Sequence, residues 1–95
     1  MFLISIHYTQ PLEIVDTFLE EHQEFLNHQY AAGTFIFSGR KVPRTGGVIL
    51  SNLTSQDELE HVLQQDPFYH HEVASYEITE IQITKCDERF EPFLR

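Results

Sequence analysis

LEIVDTFLEEHQEFLNHQY, from Leu12 to Tyr30, brings Val15, Phe18, Leu19, His22, Phe25, Leu26 and Gln29 or Tyr30 round at the three-and-four spacing of one helix face. Acids and amides fill the other positions, so the stretch reads as an amphipathic helix with one side turned to a core. Ala31-Ala32-Gly33 ends it, and Gly33 suits the left-handed position just past a helix. Upstream, residues 2–8 alternate with period two. Phe2, Ile4, Ile6 and Tyr8 point one way; Leu3, Ser5 and His7 point the other. The first set suits a core, the second a sheet face left partly open. Pro11 breaks the strand.

Downstream, Thr34-Phe35-Ile36-Phe37-Ser38 is rich in β-formers and precedes Gly39. Arg40 to Gly46 reads as a loop, and Gly47-Val48-Ile49-Leu50 as a short buried strand paired with it in a hairpin. Ser55-Gln56-Asp57-Glu58 has the capping-box pattern and opens a second helix, with Leu59, Val62 and Leu63 as its stripe. Asp66-Pro67 stops that helix, because a residue before proline avoids the α region. Pro67 to Val73 reads as a turn or one helical turn. A last strand spans about Ser75 to Thr84, where Tyr76 and Ile78 share one phase and Ile81 and Ile83 the other; a bulge near Thr79-Glu80 reconciles them.

The order is βαββαβ. It predicts one α+β domain over residues 1–95, with a core of about 2–84 and an irregular tail at 85–95. The arrangement is ferredoxin-like: an antiparallel sheet with two helices on one face. The other face leaves Leu3, Ile36 and some of the last strand's isoleucines in water. A second copy of the chain would bury them, which makes a homodimer the expectation. The alternative cover is the tail, through Phe90 and Phe93.

Fifteen acids against six Lys and Arg give a formal charge of −9, a balance that phosphate backbones and anionic membrane surfaces repel. Neither nucleic acid nor membrane is expected as a partner, and no apolar run approaches the ~20 residues that cross a bilayer. The opening Met1 to His7 lacks the basic and small-residue features of a signal peptide. With Cys86 the lone cysteine, the expected location is the reducing cytoplasm. Arg40, Lys41 and Arg44 fall within five residues, a local basic loop that either attracts a small anion or is simply solvated.

His22 lies amid Phe18, Leu19, Phe25 and Leu26 on its helix, so its imidazole is aimed inward and needs a hydrogen-bond partner there. Taken alone it is a satisfied core histidine. Asp66 offers the partner if the two helices pack in register; a carboxylate there would hold the tautomer and raise the basicity of the ring. Otherwise Asp66 is a helix-terminal turn residue. Six histidines invite a metal reading, but adjacent His70 and His71 diverge, and no zinc-type spacing occurs, so no metal and no cofactor is expected. His61 lies off its helix stripe, and nothing near Cys86 beyond Lys85 would activate a thiol.

His22 with Phe25-Leu26, then Gly33, Phe37-Ser38-Gly39, Gly46-Gly47-Val48-Ile49 and Asp66-Pro67-Phe68, in this order and spacing, resembles the YciI-like (YCII-related) family over residues 2–84. The resemblance implies a ferredoxin-like fold of the dimeric α+β barrel kind. It also implies a His/Asp-centred site on His22 and Asp66, with Ser38 as a third site residue. Some relatives are small-molecule lyases or dehydrochlorinases of aromatic degradation. Family members often carry proline after the Ser-Gly; this chain has Arg40-Lys41 and reaches Pro43 later, so its pocket rim departs from the pattern.

The expectation is a small enzyme acting on a compact anionic or phenolic metabolite. His22 is acid or base, Asp66 its orienting partner, and Ser38 a donor to substrate. Arg40 or Lys41 holds an anionic group, and Phe35, Phe37 and Phe68 form apolar walls. The alternatives are a non-catalytic module that binds a small ligand or a partner, and a purely structural His22–Asp66 tie.

Overall fold

β1 (Phe2–Tyr8) is a central strand in the chain's computed structural model, which describes residues 1–94. It pairs antiparallel with β3 (Gly46–Ser51) on one side and β4 (Ala74–Glu80) on the other; β2 (Phe35–Arg40) lies beyond β3, giving the order β2-β3-β1-β4. This is the split βαβ arrangement of the α+β fold that the sequence predicts. The alternation in β1 decides its faces. Phe2, Ile4 and Ile6 are buried with Ile49, Phe35 and Phe25, and with Leu59 and Leu63 of α3 (Gln56–Leu63). Ser55 caps α3, its Oγ accepting from the Glu58 N–H.

The stretch from Leu12 to Tyr30 is two helices rather than one. α1 (Leu12–Thr17) and α2 (Leu19–Ala31) meet at Phe18, whose φ of −108° and ψ of 6° leave the helical region. The apolar stripe continues across the break but serves two clusters. Val15 packs with Phe68 and Val73, whereas Phe25 joins the main core. The first turns of α2, through Leu19 and His22, stay on the Phe68 cluster with α1. At the far end Gly33 has a φ of +75°, and the Thr34 and Gly33 N–H groups donate to the Gln29 and Tyr30 carbonyls at 3.0 and 3.1 Å. This is the left-handed cap expected of that glycine.

β4 stops at Glu80 and carries no bulge: its register against β1 runs unbroken from Tyr8 opposite Ala74 to Phe2 opposite Glu80. Past that point β1 has only the Met1 carbonyl to offer, which accepts from the Ile81 N–H at 2.8 Å. Ile81 and Ile83 therefore lie outside the sheet, and the strand to Thr84 expected from sequence is shorter than read. The sheet's irregularity is in β2, between Phe35 and Phe37. Phe35 pairs with Ser51 on the helix side and Phe37 with Leu50 on the open side. Ser38 and Arg40, opposite Ile49 and Gly47, then return to the helix side.

Gly46 answers a steric need. A Cβ there would stand 1.7 Å from the Ile6 carbonyl oxygen, so only glycine permits β3 to approach β1 this closely. The loop between β2 and β3 is tied down by Arg44, whose guanidinium donates to Asp16 Oδ1 at 2.6 Å and lies over the Tyr8 ring at 5.6 Å.

The open face of the sheet presents Leu3, Val48, Leu50 and Phe37 beside Ser5, His7 and Glu77. Ile36, expected in water, falls at the β2 irregularity and is half-buried, while Phe37 is 47% exposed. The tail's short 3-10 helix, Glu91–Leu94, lines a groove with Met1, Asn52 and Ile83 and leaves Phe37 uncovered. Among the described residues, no helix is long and apolar enough to cross a membrane.

Candidate active site

Helix α2 turns His22 toward the sheet, as its spacing predicts, and leaves it 8% exposed. Its Nδ1 lies 2.7 Å from Asp66 Oδ1. Asp66 is fully buried and caps α4 (Pro67–His70), a four-residue helix after α3, rather than closing α3 itself. Its extended backbone is the one a following proline demands. The same Oδ1 accepts the Phe68 N–H at 3.0 Å, and Oδ2 accepts the Tyr76 hydroxyl at 2.5 Å. Every contact to the carboxylate is thus a donor, and Nδ1 must carry its hydrogen to take part. Phe68 stacks on the imidazole, ring centroids 3.9 Å apart and planes 4° from parallel. One short segment, Asp66-Pro67-Phe68, thereby fixes both the edge and the face of the ring.

With Nδ1 engaged, Nε2 has no protein partner among the described residues, and it is not among their buried unpaired atoms. His22 belongs to the wall of a cleft of about 100 Å³ between α2 and the β2–β3 side of the sheet. Leu19, Leu26, Ile49 and Phe68 give the cleft its apolar surface, and Tyr8, Gln23, Ser38 and Arg40 its polar one. Among the described residues, no carboxylate lines it. On a chain of charge −9 that is a local inversion, because Asp66, the carboxylate on His22, is fully buried and absent from the lining. An imidazole held at Nδ1 by a carboxylate and free at Nε2 can take and return a proton, and a guanidinium beside it can hold an anion.

The sequence-derived site residues divide on the structure. His22, Asp66, Ser38, Arg40 and Phe68 come together, the irregularity in β2 bringing Ser38 and Arg40 onto the cleft side. Ser38 shares a 2.6 Å hydrogen bond with the Tyr30 hydroxyl. Phe35, Phe37 and Lys41 lie elsewhere. Phe35 is core, Phe37 stands on the open face, and the Lys41 ammonium is 3.2 Å from His7 Nδ1. His61, His70, His71 and Cys86 are exposed, His71 stacking on Phe18 at 3.9 Å. Among the described residues, no three of His, Cys, Asp and Glu converge as a metal would require.

Tyr76 is the partner of Asp66 that the sequence reading missed. Burial, and then the charge of Asp66, hold its hydroxyl well above the usual tyrosine range. The signal was present: Tyr76 shares the inward phase of Ile78, and an inward tyrosine needs a polar partner for its hydroxyl.

No curated protein sequence matches the chain. Among solved structures, it is similar to the 5-chloro-2-hydroxyhydroquinone dehydrochlorinase of Burkholderia phenoliruptrix in complex with 2,5-dihydroxybenzoquinone. The TM-score is 0.72 at 16% identity, covering 86% of this chain and 94% of that one. At that identity the likeness speaks for the fold. The model of the YCII-related domain matches residues 1–82, nearly the whole of the folded part, and the chain belongs to the YCII-related family.

Proposed function

We propose that the protein is a small-molecule enzyme in which His22 Nε2 acts as acid and base on a compact anionic or phenolic metabolite. The observation that carries this is the buried Asp66–His22 pair, with Nε2 left unpaired in the wall of a cleft free of carboxylates. Nε2 would take a proton from an acidic O–H or C–H of the substrate. The imidazolium so formed is stabilised by Asp66 across the 2.7 Å contact. In an isomerisation the proton returns to another atom of the same substrate. In an elimination the C–H pair becomes the new double bond while the leaving group departs with its own pair. Ser38 would donate to a substrate oxygen, and Arg40 would hold its negative charge. The dehydrochlorinase neighbour binds a dihydroxybenzoquinone, a ligand of this compact, oxygen-rich kind.

At about 100 Å³ the cleft is smaller than most ligand pockets. That favours a substrate of one small ring or less. A homodimer belongs to the same proposal: the half-buried Leu3 and Val48 and the exposed Phe37 form an apolar face that a second copy would cover. The cytoplasm is its proposed location.

A thermal-shift screen of small phenols, quinones and carboxylic acids, run on wild type and His22→Ala, tests the proposal. Ligands that stabilise wild type and lose that effect in the variant are expected. Ligands that stabilise both equally would place binding away from His22, and the enzymatic reading would fail.

A further inference from the structure

The dyad has a third member on the side away from the cleft. Asp66 has two carboxylate oxygens and only one faces His22. The other takes the Tyr76 hydroxyl from β4 at 2.5 Å, a short contact to a group with no exposure to solvent. The Tyr76 ring is itself held by an edge contact to Tyr69, centroids 6.1 Å apart. Tyr76 takes no part in the cleft, so it cannot touch a substrate there.

We propose that Tyr76 is a positioning residue that sets the proton affinity of His22 through Asp66. Two effects follow from its hydroxyl. It fixes the carboxylate plane so that Oδ1 stays on Nδ1, which keeps Nε2 turned to the cleft. It also draws carboxylate charge toward Oδ2, leaving less on Oδ1 to stabilise the imidazolium. Tyr76 thus makes the Oδ1 contact a weaker stabiliser of the imidazolium than it would be without that hydroxyl. This role rests on the acid–base reading of His22. Of the titratable groups on the elements packed around the ring, Tyr8 of β1 and Arg40 of β2 line the cleft with it; His7 of β1, His28 and Tyr30 of α2, and Tyr69 and His70 of α4 do not line it, and the acids of α2, Glu20, Glu21 and Glu24, are exposed. Tyr76→Phe removes none of these groups and keeps the ring that meets Tyr69.

The test is a pH titration of the histidine ring nitrogens by long-range ¹H–¹⁵N NMR on wild type and Tyr76→Phe, with His22→Gln assigning the resonance. In Tyr76→Phe the His22 midpoint is expected to rise by about half a unit, roughly threefold in proton affinity, with the ring still protonated at Nδ1 when neutral. His7, His28, His61, His70 and His71 serve as internal controls and stay in place. Replacing Tyr76 alone with 3-fluorotyrosine, which keeps the shape and strengthens the donor, should move the midpoint down; this arm remains informative should the phenylalanine variant fold poorly. A His22 midpoint unchanged in both proteins overturns the proposal while leaving the dyad intact. A wild-type His22 protonated at Nε2 when neutral overturns the acid–base reading, and the role of Tyr76 with it.

Discussion

Replacing Asp66 with alanine removes the acceptor of three buried donors at once: His22 Nδ1–H, Phe68 N–H and Tyr76 O–H. A stranded buried donor costs about 1–3 kcal/mol. His22 can escape by moving its hydrogen to Nε2, which faces the cleft, so the penalty falls chiefly on the Phe68 N–H and the Tyr76 hydroxyl. Lost capping of α4 adds to it. The expected destabilisation of Asp66→Ala is about 3–5 kcal/mol, the range for one-sided removal of a buried pair. Asp66→Asn should behave differently. Its carbonyl can keep His22 and Phe68, and its NH₂ can donate to a Tyr76 hydroxyl that turns to accept, so only charge assistance is lost. About 1–2 kcal/mol is expected there. Equilibrium urea unfolding resolves the two, since a domain of this size holds about 5–15 kcal/mol in all. An Asp66→Ala variant within about 1 kcal/mol of wild type would refute the three-donor accounting. Equal losses in both variants would show that charge, and not donor count, is what matters.

Gly46→Ala should destabilise by about 2 kcal/mol or more, because its Cβ meets the Ile6 carbonyl at 1.7 Å and β3 must move away from β1; an unchanged thermal melt contradicts this. Burial and Asp66 raise the Tyr76 pKa above its unfolded value of about 10, so its share of stability is complete below pH 10 and declines as pH rises beyond it. The stability difference between wild type and Tyr76→Phe, by urea unfolding at pH 8 and pH 11, should therefore shrink at the higher pH; a constant difference refutes it. Wild type is expected to run as a dimer in light-scattering chromatography and Phe37→Glu as a monomer, and a wild-type monomer contradicts the proposed face.

The sheet and its faces were legible because period-two alternation in β1 is a local signal that packing does not overwrite. The helix break was not. The apolar stripe runs through Phe18 without a gap, so nothing in the local pattern marks the point where α1 and α2 part. The end of β4 depends on where β1 begins, a property of the partner strand, so Ile81 and Ile83 looked like strand residues out of phase. At the site, the inward aim of His22 and the extended Asp66-Pro67 were both local readings. Their meeting depended on helix register, and the family resemblance supplied what spacing could not. The irregularity in β2 explains the mixed result at the cleft. Alternation without it would put Phe35 and Phe37 on one face and Ser38 and Arg40 on the other. With it, Phe35 joins Ser38 and Arg40 on the helix side, packed into the core, while Phe37 alone turns to the open face.

The most direct measurement on His22 is turnover of the strongest cleft ligand by wild type and His22→Gln. Glutamine keeps a donor for Asp66 and supplies no base. If Nε2 transfers the proton, ligand affinity should stay within a few-fold while turnover falls by roughly 10²–10⁴-fold. Turnover preserved in His22→Gln, with the cleft still occupied, would contradict acid–base catalysis by this histidine.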